Sequence, residues 1–175
     1  MFEALKDDKR ILVTGPQRSG TRIAAKMIAA DTEYESIDET EFGVHSKKGL
    51  RKLLCRSYIV VHCSALCRTI VNYSDEEIMI VLMKRNIEDI IASEKRIGWE
   101  FGALDELWKY GVAYSELRRE AATGVPISIR KYEYWEKEQK DRLFNSLELE
   151  YETLSAHPLW LPKETRADFA PEQTE

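Results

Sequence analysis

Apolar positions along the chain fall into short continuous runs separated by stretches with helical spacing. The segments "RILVTG", "SYIVVHCS" and "EIMIVLMK" are rich in β-branched residues and read as buried strands. Between the first two, Thr21 to Ala30 places Ile23, Met27 and Ile28 on one helical face. After the third, "NIEDIIASEKRI" reads as a helix, with Asn86 as N-cap and Asp89 as a capping-box-like partner. A further helix fits "LDELWKYGVAYSELRREAA", where Leu104, Leu107, Trp108, Val112, Tyr114 and Leu117 form the apolar stripe. The Gly124-Val125-Pro126 break ends it. "ISIRKYEYW" then reads as a fourth strand, and "EKEQKDRLFNSL" as a helix after it.

Strands that alternate with helices need crossover connections, and crossovers give a mainly parallel sheet. The expected fold is therefore α/β, with helices flanking both faces of the sheet. No internal linker or repeat interrupts residues 1–154, which read as one domain, large enough at this length to cover a central sheet. Residues 155–175 carry three prolines and read as an extended tail, its first half pinned by Trp160.

The formal net charge of −5 argues against a general nucleic-acid binder. Lys47, Lys48, Arg51, Lys52 and Arg56 cluster at helical spacing, which suits a solvated helix face before it suits a wall for an anionic substrate. The three cysteines, Cys55, Cys63 and Cys67, form no C-x-x-C pair, so reduced thiols and a cytoplasmic setting are expected, with Cys63 and Cys67 in the core. The start "MFEALKDDKR" has no apolar leader, and no apolar run approaches the roughly 20 residues of a membrane span.

The candidate chemistry begins at "GPQRSGTR". Gly15 and Gly20 have the spacing of a phosphate-binding loop, between a strand and a helix, where backbone N–H groups and the positive helix end attract an anion. Thr21 and Arg22, however, stand where a Mg-ATP loop has its lysine and its magnesium-ligating hydroxyl. An arginine cannot ligate a cation, and the loop's own cation is Arg18. "QRSGT" resembles the 5′-phosphosulfate loop of the sulfotransferases that use 3′-phosphoadenosine 5′-phosphosulfate.

A second stretch, "VLMKRNIEDIIASEKRI", resembles the 3′-phosphate motif of the same family. Arg85 ends a strand, Asn86 caps a helix, and Ser93 returns to nearly the same helix face; Ile87 replaces the family's usual proline. "ISIRKYEYW" resembles a late strand ending in Tyr-Glu, which implies that Tyr132 lies near the adenine. The resemblance implies a P-loop-type fold and a donor site made by Gln17, Arg18, Ser19, Gly20, Thr21, Arg22, Arg85, Ser93 and Tyr132.

It also implies sulfuryl transfer from 3′-phosphoadenosine 5′-phosphosulfate to a small-molecule or carbohydrate hydroxyl or amine. The expected transfer is in-line and without a metal, since a sulfuryl group carries less charge than a γ-phosphoryl group and backbone amides with an arginine could suffice. Arg18 would stabilise the leaving group. His62, at the end of a strand, is the expected base, although Cys63-Ser64 follows it where the family has Leu-Pro. Glu39, Glu41 and His45 are the alternatives. A P-loop nucleotide or small-molecule kinase, and a non-catalytic module that binds a nucleotide or sulfated ligand, remain open. The later Arg-Lys-Gly-type loop of larger members has no counterpart after Tyr132, only scattered cations such as Arg142, Lys163 and Arg166.

Overall fold

The computed structural model describes residues 1–42, 47–64, 66, 70–96 and 142–160. Five strands make one parallel sheet: β1 (Arg10–Thr14), β2 (Glu35–Ile37), β3 (Ile59–His62), β4 (Met79–Lys84) and β5 (Ser146–Glu150), in the order β2-β3-β1-β4-β5. Around them lie α1 (Thr21–Thr32), α2 (Glu39–Phe42), α3 (Lys47–Leu53) and α4 (Ile87–Arg96). The expected α/β class and parallel sheet are thus present. The helix 104–122, the strand 127–135, and residues His45, Cys67, Tyr132, Lys163 and Arg166 lie outside the described residues.

The centre of the sheet is β1, with Leu12 opposite Val61 of β3 on one side and Ile80 of β4 on the other. Its Ile11, Leu12 and Val13 are wholly buried, each worth about 2 kcal/mol of burial. A strand covered on both faces shows a continuous apolar run, which is why this one was readable. On one face Ile11, Val13, Val60, Val81 and Met83 pack against Ala24, Met27 and Ile28 of α1. On the other, Leu12, Ile59, Val61, Ile80 and Leu82 meet Leu50 of α3 and Ile70 and Tyr73 of a 3₁₀ turn. Cys63 belongs to this second core, as expected, while Cys55 is exposed.

Two strands depart from the sequence expectation. The three-residue β2 lies where no strand was expected, and it is held by pairing with β3, Ile37 against Val61. The helix expected to run to Leu147 gives way to β5, whose Leu149 is buried in the α1-side core. Period-two pairing along β4, from Ile80–Ser146 to Lys84–Glu150, overrides the helical spacing upstream.

The basic segment is a solvated face where it is described: Lys48, Arg51 and Lys52 are exposed around buried Leu50, and Arg56 pairs with Glu35. Beyond β5, a 3₁₀ stretch (Tyr151–Ala156) returns the chain to the α1 face through Leu154. There His157 Nε2 meets Asp31 at 3.0 Å. Among the described residues no helix is long and apolar enough to cross a membrane.

Candidate functional site

The carboxyl ends of β1, β2, β3 and β4 converge, and the chain leaves β1 there through a tight turn of six residues, Gly15 to Gly20. In a parallel sheet this edge is where ligand crevices open, most of all where successive connections diverge to opposite sides, as they do about β1. Thr14 Oγ1 donates to the Cys63 carbonyl at 2.8 Å and ties the end of β1 to the end of β3.

Gly15 has φ +148°, and a Cβ there would stand 2.8 Å from the Met83 carbonyl oxygen, so the turn grazes the backbone of β4. Ser19 is wholly buried; its N–H and Oγ both donate to the Pro16 carbonyl, at 3.2 and 2.6 Å. Gly20, at φ +92°, has the Tyr151 ring against it and starts α1, whose Ala24 N–H bonds the Gly20 carbonyl at 3.0 Å. Gln17 and Arg18 are half-buried on the turn.

Arg18 is left-handed at φ 66°, a conformation that costs a non-glycine residue about 1 kcal/mol. Arg85 steadies it by donating from Nη1 to the Arg18 carbonyl at 2.9 Å. The Arg85 guanidinium in turn lies over the Tyr151 ring, 4.2 Å from its centroid, and Trp160 stands edge-on to that ring at 5.4 Å. Arg18 itself donates from Nε to Ser93 Oγ at 3.0 Å, and Arg96 Nη2 lies 3.5 Å from the same oxygen. The loop, the end of β4 and the second half of α4 thus share one patch of cations. Arg85 and Ser93, expected to touch one anion together, are both bonded to Arg18, one through its carbonyl and the other through its side chain. Asn86 acts as the expected cap, accepting from the Glu88 N–H at 2.8 Å.

Next to the loop lies a second network. His62, 4 % exposed, places Nε2 3.0 Å from Thr21 Oγ1 and Nδ1 3.2 Å from Asp38 Oδ2. A carboxylate can only accept, so Nδ1 carries the proton and Nε2 accepts from the Thr21 hydroxyl. Burial pushes the His62 imidazolium below the usual histidine range, against the pull of Glu39 and Asp38 and with the help of Arg22. Burial also works against the Asp38 carboxylate. The Thr40 N–H, His62, the Thr40 hydroxyl and Arg22 outweigh it and hold Asp38 below its ordinary value.

Arg22 grips Asp38 from Nε at 2.7 Å and from Nη2 at 3.2 Å, so its guanidinium is engaged at the end of β2. Glu39, read as an alternative base, accepts from the Ser64 N–H at 3.0 Å and from its hydroxyl. Glu41 turns back to the Asp38 N–H at 2.8 Å as a local cap.

Sequence reasoning missed two residues here. Asp38 becomes visible only once β2 is known, because its position just past a parallel strand is what aims it at His62. Tyr151 has no local signal; a contact across the fold brings it to Gly20 and Arg85. Among the described residues no group of three or more His, Cys, Asp or Glu side chains is disposed to hold a metal ion.

No protein-family model, curated protein or solved structure matches the chain. What the fold and site define is a parallel α/β protein with a glycine-bounded turn after its central strand, bordered by an arginine–serine patch and by an Asp–His–Thr chain whose histidine and threonine are buried.

Proposed function

We propose that this chain is a P-loop-type sulfotransferase-like protein, transferring a sulfuryl group from 3′-phosphoadenosine 5′-phosphosulfate to a hydroxyl or amine. The observation that carries the reading is the 3.0 Å bond from Arg18 Nε to Ser93 Oγ, with Arg85 on the Arg18 carbonyl. It joins the two stretches that resemble the 5′- and 3′-phosphate motifs of that family into one cationic patch. A donor with phosphates at both ends of its ribose suits such a patch, whereas a linear triphosphate engages the loop alone.

Arg18 is the cation for charge growing on the leaving phosphate, and the backbone N–H groups at the start of α1 share that load. Arg22 stands at the sequence position of the magnesium-ligating hydroxyl and is bonded to Asp38, which supports a transfer that draws its electrostatics from the protein. His62 is the base, neutral because it is buried and oriented by Asp38. The acceptor is a small molecule or a carbohydrate.

Calorimetric titration tests this with adenosine 3′,5′-bisphosphate, ADP and Mg-ATP side by side. Binding of the bisphosphate in preference to the others, lost in Arg85→Ala, is the expected result. A preference for Mg-ATP would replace the reading with a kinase, and sulfated ligands bound without the bisphosphate would replace it with a non-catalytic module.

A further inference from the structure

The bonding of Thr21 poses a problem of proton count. A threonine hydroxyl has one proton, and here it is given to His62 Nε2, since Asp38 fixes the imidazole proton on Nδ1. Thr21 is the first residue of α1, directly after Gly20, and helical side chains lean toward the N-terminus, which here is the turn. While His62 is neutral, Thr21 can offer the turn only lone pairs. Once His62 is protonated the bond reverses: Nε2–H donates to Thr21 Oγ1, and the Thr21 proton is released toward the turn.

We propose that Thr21, His62 and Asp38 form a proton relay in which Thr21 Oγ1 meets the reactants, His62 stores the proton and Asp38 is the positioning residue. The proposal rests on the sulfuryl-transfer reading and adds how the base, whose Nε2 is already covered by Thr21 Oγ1 at 3.0 Å, reaches its proton.

The acceptor O–H or N–H gives its proton to Thr21 Oγ1 as the Thr21 proton passes to His62 Nε2. The acceptor oxygen or nitrogen forms its bond to sulfur while the bond from sulfur to the 5′-phosphate oxygen breaks, and that electron pair leaves on the phosphate. The imidazolium is balanced by the Asp38 carboxylate. The reversed Thr21 hydroxyl donates to a peripheral oxygen of the 5′-phosphate, over which the gained charge is delocalised. One chain thereby accepts the acceptor's proton and solvates the leaving group. Glu39 and Asp38 favour the imidazolium, while Arg22 and burial oppose it.

The test is calorimetry of adenosine 3′,5′-bisphosphate, the product that carries this charge, in buffers of different protonation enthalpy. The pH is set about one unit above the ordinary histidine value of about 6.5. Wild type takes up close to one proton on binding, and its affinity falls by up to about tenfold per pH unit. Thr21→Val, which keeps the shape and removes the hydroxyl, binds with little uptake and a flat pH profile. Thr21→Ser restores both, and Asp38→Asn moves the pH midpoint. His62→Gln should behave as Thr21→Val, with circular dichroism to check its folding; Thr21→Val carries the test if the glutamine variant does not fold. Binding by wild type without proton uptake overturns the relay and leaves the sulfuryl-transfer reading standing. Absence of any binding overturns that reading, and the relay with it.

Discussion

Ser93 Oγ accepts a 3.0 Å bond from Arg18 Nε across 75 positions of sequence, joining the turn after β1 to the buried side of α4. A hydrogen bond to a charged donor in a half-buried setting is worth on the order of 1 kcal/mol. Ser93→Ala should therefore lower unfolding stability by about 1 kcal/mol and, by freeing the Arg18 side chain from its position, weaken adenosine 3′,5′-bisphosphate by up to about fivefold in calorimetry. An unchanged affinity would mean that Ser93 only packs.

Arg85 does two jobs with one flat group, bonding the Arg18 carbonyl at 2.9 Å and stacking on Tyr151 at 4.2 Å. A lysine can supply the charge without the plane. Arg85→Lys should lose most of the affinity that Arg85→Ala loses, on the order of 2 kcal/mol for either. Near-complete rescue by lysine would show that charge alone matters at this position.

Gly15 faces a backbone obstacle, since a Cβ would lie 2.8 Å from the Met83 carbonyl oxygen at a φ of +148°. Gly15→Ala should cost roughly 2 kcal/mol in urea unfolding, because the β4 backbone cannot move aside cheaply. The obstacle at Gly20 is the Tyr151 ring, which can shift, so a Gly20→Ala, Tyr151→Ala double variant should recover part of the single-variant loss. Strict additivity in that cycle would contradict the contact.

Asp31 is held well below the carboxylate range, chiefly by the N-terminal ammonium, then by the Phe2 N–H and by His157, with burial opposing. A carboxyl depressed in the folded state stabilises above its unfolded pKa of about 4, and that contribution disappears as pH falls toward the folded value. Asp31→Asn should lower stability at neutral pH by about 1 kcal/mol, discounted for the partial exposure of the pair. It should also flatten the decline in melting temperature below about pH 4. Parallel acid profiles for variant and wild type would remove Asp31 from the account.

The parts of this fold that could be read in the sequence are those where local pattern and tertiary burial agree. Ile11 to Val13, Ile59 to Val61 and Ile80 to Met83 are continuous apolar runs because both faces of the sheet are covered, and Asn86 signals its helix start by its own side-chain bond. Glu35 and Ser36 are exposed and β2 is three residues long, too short for any periodicity to register. In β5 the alternation of Leu147 and Leu149 was present but lay at the end of a helix-like charge pattern, and only pairing with β4 decides it. The site followed the same division. Arg18, His62, Arg85 and Ser93 stood beside strand ends and caps that could be located. Asp38 and Tyr151 depended on a missed strand and on a fold-wide return of the chain.

That return has a bearing on biosynthesis. The Tyr151 ring lies against Gly20 and carries the guanidinium that steadies Arg18. During translation the turn after β1 leaves the ribosome well before the Tyr151 ring that packs against it. Until the chain has been made past β5, a nascent molecule holds a turn whose left-handed Arg18 has lost one of its supports, beside a β4 edge with no partner strand. The turn therefore gains its Tyr151 contact only after β5 has been made, however early the turn itself is synthesised.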